Sequence, residues 1–120
     1  MAEHSLTPEE SIEQFRADLR EAAILMREAD HIDPEQQEAL ADLVAELGTA
    51  LDPATPPEYT AHLVESSTAL VHALKDQHDE GLLSAARHRL EEAATRAEAD
   101  APLATNVVRR LINTLANLGI

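Results

Sequence analysis

Apolar residues recur along most of this chain at steps of three and four, the spacing that gathers them on one side of an α-helix. Ile12, Phe15, Leu19, Ala22 and Met26 make the first stripe. Thr7-Pro8-Glu9-Glu10 precedes it, with a threonine N-cap, proline at the first helical position and acids in the first turn. This helix is expected to end near Asp30. Asp33-Pro34-Glu35 repeats the start signal, and Leu40, Leu43, Val44 and Leu47 form the next stripe. Gly48 is placed to supply a left-handed C-terminal cap, although Ala50 and Leu51 extend the pattern past it. The short joint between the two helices predicts an antiparallel α-hairpin.

Pro53, Pro56 and Pro57 interrupt the pattern between Leu51 and Glu58. A third helix is expected to start near Pro56 behind Thr55, carrying Leu63, Leu70 and Leu74. Leu74 and Leu83 are about 2.5 turns apart and would point to opposite sides of a continuous helix. Val71 and Leu82 would stay in phase. The first pair predicts a break or kink at Asp79-Glu80-Gly81. A fourth helix follows with Leu83, Ala86, Leu90, Ala93 and Ala97, and Arg87–Glu91 and Glu92–Arg96 pairs on its exposed side. Asp100-Ala101-Pro102 caps a fifth, whose Val107, Leu111, Leu115 and Leu118 run up to Gly119. Period-two alternation is absent. The chain therefore reads as one all-α domain over residues 1–120, a helical bundle of four to five helices. Two antiparallel α-hairpins (7–51 and 82–120) are bridged by a middle helix (56–80).

Charge separates the two ends. The formal net charge is −14, from 23 acids against 9 basic residues. The first fifty residues hold thirteen of those acids and only three arginines, whereas the last twenty hold no acid at all. An acidic first hairpin and a basic last helix invite mutual attraction, within one chain or between subunits. The overall charge repels phosphate backbones and anionic membranes, so neither nucleic acid nor a membrane is an expected partner. The chain has no cysteine, which excludes disulfides, thiolate metal sites and cysteine nucleophiles. The first residues lack the pattern of a secretory signal, and no apolar run approaches the ~20 residues of a membrane helix. A cytoplasmic protein is expected.

Several segments at the two ends carry a resemblance. Leu90-Glu91-Glu92-Ala93, Glu98-Ala99-Asp100-Ala101-Pro102-Leu103 and Leu115-Ala116-Asn117-Leu118-Gly119-Ile120 look like the second half of a small bacterial helical family, domain of unknown function 4404. Asp33-Pro34-Glu35-Gln36-Gln37 at the start of the second helix is similar as well. The resemblance covers roughly the first fifty and last forty residues. Asp52 to Glu80 is longer than the family pattern leads one to expect. The resemblance implies an intracellular bacterial helical protein and brings no catalytic residues with it.

Candidate chemistry is sparse. Glu28-Ala29-Asp30-His31 has the Glu-x-x-His spacing of di-iron bundles, but once only and at a helix end, where those sites need it twice. His72, Asp76 and Asp79 lie at i, i+4 and i+7 near His78, equally readable as a solvated run or a weak divalent-metal site. His88 sits between two arginines, which disfavours a cation, and His62 reads as a helix-surface residue. Ser66-Ser67-Thr68 lack a nucleophile elbow and an oxyanion hole, and three glycines cannot build a phosphate-cradling loop. No catalytic residues, metal ligands or cofactor are expected.

The remaining anomaly is on the last helix. Asn106, Arg110, Asn113 and Asn117 share a narrow stripe, with Arg109 beside it, and these are the only asparagines in the chain. Asparagine is a mediocre helix former, so three on one face call for an explanation. Either the stripe is an ordinary solvated face or these five residues form a partner-binding surface. The function expected is non-enzymatic: a protein–protein interaction or self-association module, with a homodimer among its forms and no small-molecule substrate evident. The alternatives are an acidic decoy that occupies a basic nucleic-acid-binding protein, and a divalent-metal-binding bundle.

Overall fold

Four of the five helices begin on a proline, whose fixed φ and missing N–H suit a first helical position. The computed structural model describes residues 7–29, 32–76 and 80–119. Its helices are α1 (Pro8–Arg27), α2 (Pro34–Ala50), α3 (Pro57–Asp76), α4 (Glu80–Ala97) and α5 (Pro102–Asn117), and no strand occurs among the described residues. The Thr7 hydroxyl accepts the Glu10 N–H at 3.1 Å while the Glu10 carboxylate accepts the Thr7 N–H at 2.9 Å, a complete capping box. At the far end of the chain, Gly119 adopts φ +78° just past α5, the left-handed conformation that glycine reaches without strain.

Two local expectations need correction. Gly48 is not a cap: α2 runs two residues beyond it, and the glycine is buried where α1 crosses close by. Thr55 does not cap α3. Its side chain is buried and donates to the Asp100 carbonyl at 3.3 Å, tying the α2–α3 loop to the α4–α5 loop. The expected interruption between the third and fourth helices shows in their faces, since Val71 is buried and Leu82 is 63% exposed. The cause is that α4 turns back and packs along α3. α3 ends at Asp76 and α4 begins at Glu80, so Gly81 lies in the first turn of α4. α1 ends at Arg27 with Glu28 as its C-cap, three residues before the expected Asp30, which like Asp79 lies outside the described residues. The helix closes on a device invisible in the apolar pattern. The Gln37 amide donates to the carbonyls of Arg27 (2.7 Å) and Ala29 (2.9 Å), satisfying acceptors that a helix end leaves open.

The expected helix pairs α1/α2 and α4/α5 both pack, and the middle helix does more than bridge them. It lies against α1 on one side and α4 on the other, while α5 lies against α2. Each helix therefore has two main neighbours, in the closed order α1–α2–α5–α4–α3. Leu19, Met26, Leu40, Leu47, Leu63, Leu70, Leu90 and Leu115 are fully buried at the centre. Alanine supplies most of the α4 face, with Ala86, Ala93, Ala94 and Ala97 buried around Leu90, so that wall buries little area per residue.

Candidate functional site

The five sequence-predicted residues sit on the outer side of α5 because its inner side is occupied. Ala104, Val107, Val108, Leu111 and Leu115 are buried, so Asn106, Arg109, Arg110, Asn113 and Asn117 are turned outward and exposed. The helix is anchored at its start by backbone bonds: the Ala101 N–H reaches the Ala97 carbonyl at 2.7 Å, and Thr105 N–H reaches Ala101 at 2.9 Å. The Asp100 and Ala101 side chains contribute no cap there.

The structure divides the stripe. Arg110, Asn113 and Asn117 come together with Ala39, Asp42, Leu43 and Glu46 of α2, lining a shallow groove where the two helices run antiparallel. Arg110 Nη1 lies 2.7 Å from Glu46 Oε2, an ion pair across that groove. Arg109 faces the other way and pairs with Glu98 at the end of α4. Asn106 is exposed and does not line the groove. One ion pair, Arg110–Glu46, thus joins the basic last helix to the acidic first half within the chain.

On the far bank, Arg27 of α1 holds two carboxylates of α2. Its Nη2 is 3.0 Å from Glu38 Oε2 and 3.1 Å from Asp42 Oδ1, and its Nε reaches the second Glu38 oxygen at 3.4 Å. Hydrogen bonding to Arg27, helped by its charge, holds the Glu38 carboxyl below the usual glutamate range and raises the guanidinium in turn. Asp42 is therefore fixed at the groove edge by a residue 15 positions away. The Thr114 hydroxyl donates to the Arg110 carbonyl of its own helix at 2.8 Å. That leaves the Asn113 and Asn117 amides as groove donors and acceptors with no partner among the described residues.

Sequence reasoning missed the α2 half of this face. Asp42 and Glu46 are four apart on one helix side with Leu43 between them, a signal that was present but unremarkable in an acidic helix. Other candidate residues are dispersed. Ser66 and Ser67 are buried and lack hydrogen-bond partners among the described residues, and the Thr68 hydroxyl donates to the Glu65 carbonyl at 3.0 Å. His88 lies 3.7 Å from Glu91 and 3.5 Å from Glu92 on the exposed side of α4, so Glu92 meets His88 rather than Arg96. His72 and Asp76 are exposed on α3, while His31, His78 and Asp79 lie outside the described residues. Among the described residues no group of three or more His, Asp or Glu side chains is arranged to hold a metal ion. No helix among them is long and apolar enough to cross a membrane.

A family model described as a domain of unknown function (DUF4404) matches residues 37–120. The match begins inside α2 and includes the middle segment that looked too long for the family, whereas residues 1–36 fall outside it. No curated protein and no solved structure matches the chain.

Proposed function

Taking as premise that this chain belongs to the DUF4404 family, we propose that it is a non-enzymatic, cytoplasmic bacterial protein that works by protein–protein association, self-association included. One observation carries this reading. The α2–α5 groove presents two uncommitted amides, Asn113 and Asn117, between ion pairs that hold Arg110 and Asp42 in place. Amides offer donors and acceptors together, and a guanidinium already held in one geometry loses little freedom on binding. Such a face suits a polar protein surface better than a phosphate backbone or an anionic membrane, both of which the net charge repels. At this groove the acidic-decoy alternative draws less support, because Glu38, Asp42 and Glu46 are engaged by the chain's own arginines.

Sedimentation velocity over a concentration series tests the reading, comparing wild type with Asn113→Arg/Asn117→Arg. The expected result is a mass that rises with concentration in wild type and stays monomeric in the variant, at an unchanged melting temperature. A single monomeric mass for both proteins would remove self-association from the proposal. Association that is unaltered in the variant would remove the groove.

A further inference from the structure

We propose that a second groove, between α1 and α3, is the docking site for a basic amphipathic helix of a partner protein. The inference rests on the association reading above and assigns it a surface and a partner chemistry.

The geometry follows from counting. Helices alternating in direction around a closed ring of five cannot all be antiparallel to their neighbours, and one pair must run parallel. Here that pair is α1 and α3. Ile12 and Phe15, near the start of α1, adjoin Pro57 and Thr60 at the start of α3, and Glu28 just past α1 lies 3.7 Å from Lys75 near the end of α3. Between these ends the two helices leave a groove with an apolar floor of Phe15, Ala22, Leu25 and Val64. Phe15 and Leu25 are only half-buried, so the bundle leaves part of both uncovered.

The α1 wall repeats at helical intervals of three and four: Phe15, Asp18, Ala22, Leu25. That is the apolar seam of an interacting helix with a carboxylate set into it. Glu21 on α1 and Glu65 on α3 complete an acidic rim. None of these three carboxylates makes an ion pair among the described residues, in contrast to Glu38, Asp42, Glu46 and Glu98, which all do. An uncovered apolar floor with unpaired acids along its edge complements a helix that carries leucine-like residues on one side and Lys or Arg beside them. Long basic side chains lay their stems along the floor and bring their charged heads to the rim. The groove runs from Phe15 to Leu25, about 15 Å, or roughly three turns of a docked helix. A second copy of this chain is the poorer occupant, since it would bring another −14 of charge to an acidic face.

The test uses the full chain and two synthetic helical peptides with the same apolar stripe, one flanked by lysine and arginine, the other by glutamate. Binding is read by fluorescence anisotropy and located by amide chemical-shift changes. The basic peptide is expected to bind more weakly as salt rises, with shifts centred on residues 15–25 and 64–72, while the acidic peptide does not bind. Asp18→Lys/Glu21→Lys should weaken binding about tenfold or more, whereas the charge-matched control Glu13→Lys/Glu35→Lys should weaken it far less. Equal loss in both variants, shifts centred elsewhere, or binding of the acidic peptide would overturn the proposal. Those results leave the sedimentation test of the α2–α5 groove untouched, so the two readings fail separately.

Discussion

Arg16 of α1 donates from Nε to the carbonyl of Gly48 in α2, at 2.9 Å across 32 positions of sequence. The contact exists because the two helices approach closely there. A Cβ built on Gly48 would stand 3.5 Å from Arg16 Cγ and 3.7 Å from Leu19 Cδ1, which is ordinary van der Waals contact. The glycine is therefore helical, buried and not required by its backbone conformation. Gly48→Ala should stabilise the protein by about 0.5–1 kcal/mol, through lower unfolded-state entropy and better helix propensity. Gly48→Leu should destabilise it, because the extra carbons have nowhere to go. Chemical denaturation of both variants checks the pair, and a loss of stability in the alanine variant would contradict the packing described.

The hydroxyls of Ser66, Ser67 and Thr105 are buried without hydrogen-bond partners among the described residues. A buried polar group left unsatisfied costs about 1–3 kcal/mol, so replacing each by an apolar group of similar shape should help rather than harm. Ser66→Ala, Ser67→Ala and Thr105→Val are each expected to raise the melting temperature. A drop in any one would mean that its hydroxyl has a partner after all, such as an ordered water.

Leu90 is the one large, fully buried side chain that α4 contributes, in a face otherwise made of alanine. Leu90→Ala should cost about 2–5 kcal/mol, the range for opening a leucine-sized cavity. Because the flanking alanines have no side chain to move into the space, the cost is expected toward the upper part of that range. Equilibrium denaturation with an unchanged slope would confirm a loss confined to the folded core.

The Arg110–Glu46 pair joins α5 to α2, but both side chains are about half exposed. An exposed pair of this kind contributes at most about 1 kcal/mol. A double-mutant cycle with Arg110→Ala and Glu46→Ala should return a coupling in that range, falling as salt is added. The charge swap Arg110→Glu/Glu46→Arg should recover most of what either reversal alone loses. A coupling of several kcal/mol would show that the pair is more enclosed than its exposure indicates.

Glu38 sets a pH dependence. Its carboxyl is held below the usual range by the hydrogen bond from Arg27. A carboxyl whose folded value is depressed binds fewer protons folded than unfolded, so its contribution is complete above the ordinary glutamate range. It is lost as pH falls through the depressed value. Glu38→Gln should therefore lower the melting temperature at neutral pH, and the two proteins should converge in acid. Parallel curves at all pH values would contradict the assignment. An NMR titration of the Glu38 side chain gives the folded value directly.

Apolar spacing and start signals by themselves determined the helices. Thr7, Asp33 and the prolines placed four starts, and the stripes led by Leu19, Leu40, Leu63, Leu90 and Leu111 identified most of the core, because helix formation and amphipathicity are set by neighbours within a few turns. The same pattern showed that Asn106, Arg109, Arg110, Asn113 and Asn117 lie off the core. Only the tertiary structure decided what each of them meets. Arg110 finds Glu46 from 64 positions away, Arg109 turns to Glu98, and Asn113 and Asn117 share a groove whose other bank is α2. It also decided that Gly48 is a point of close approach, that Thr55 reaches Asp100, and that α3 lies parallel to α1 with Asp18, Glu21 and Glu65 left unpaired between them. Periodicity tells which side of a helix is apolar. Which helix covers that side, and how completely, depends on the closure of the five-helix ring, a relation among segments that no local pattern contains.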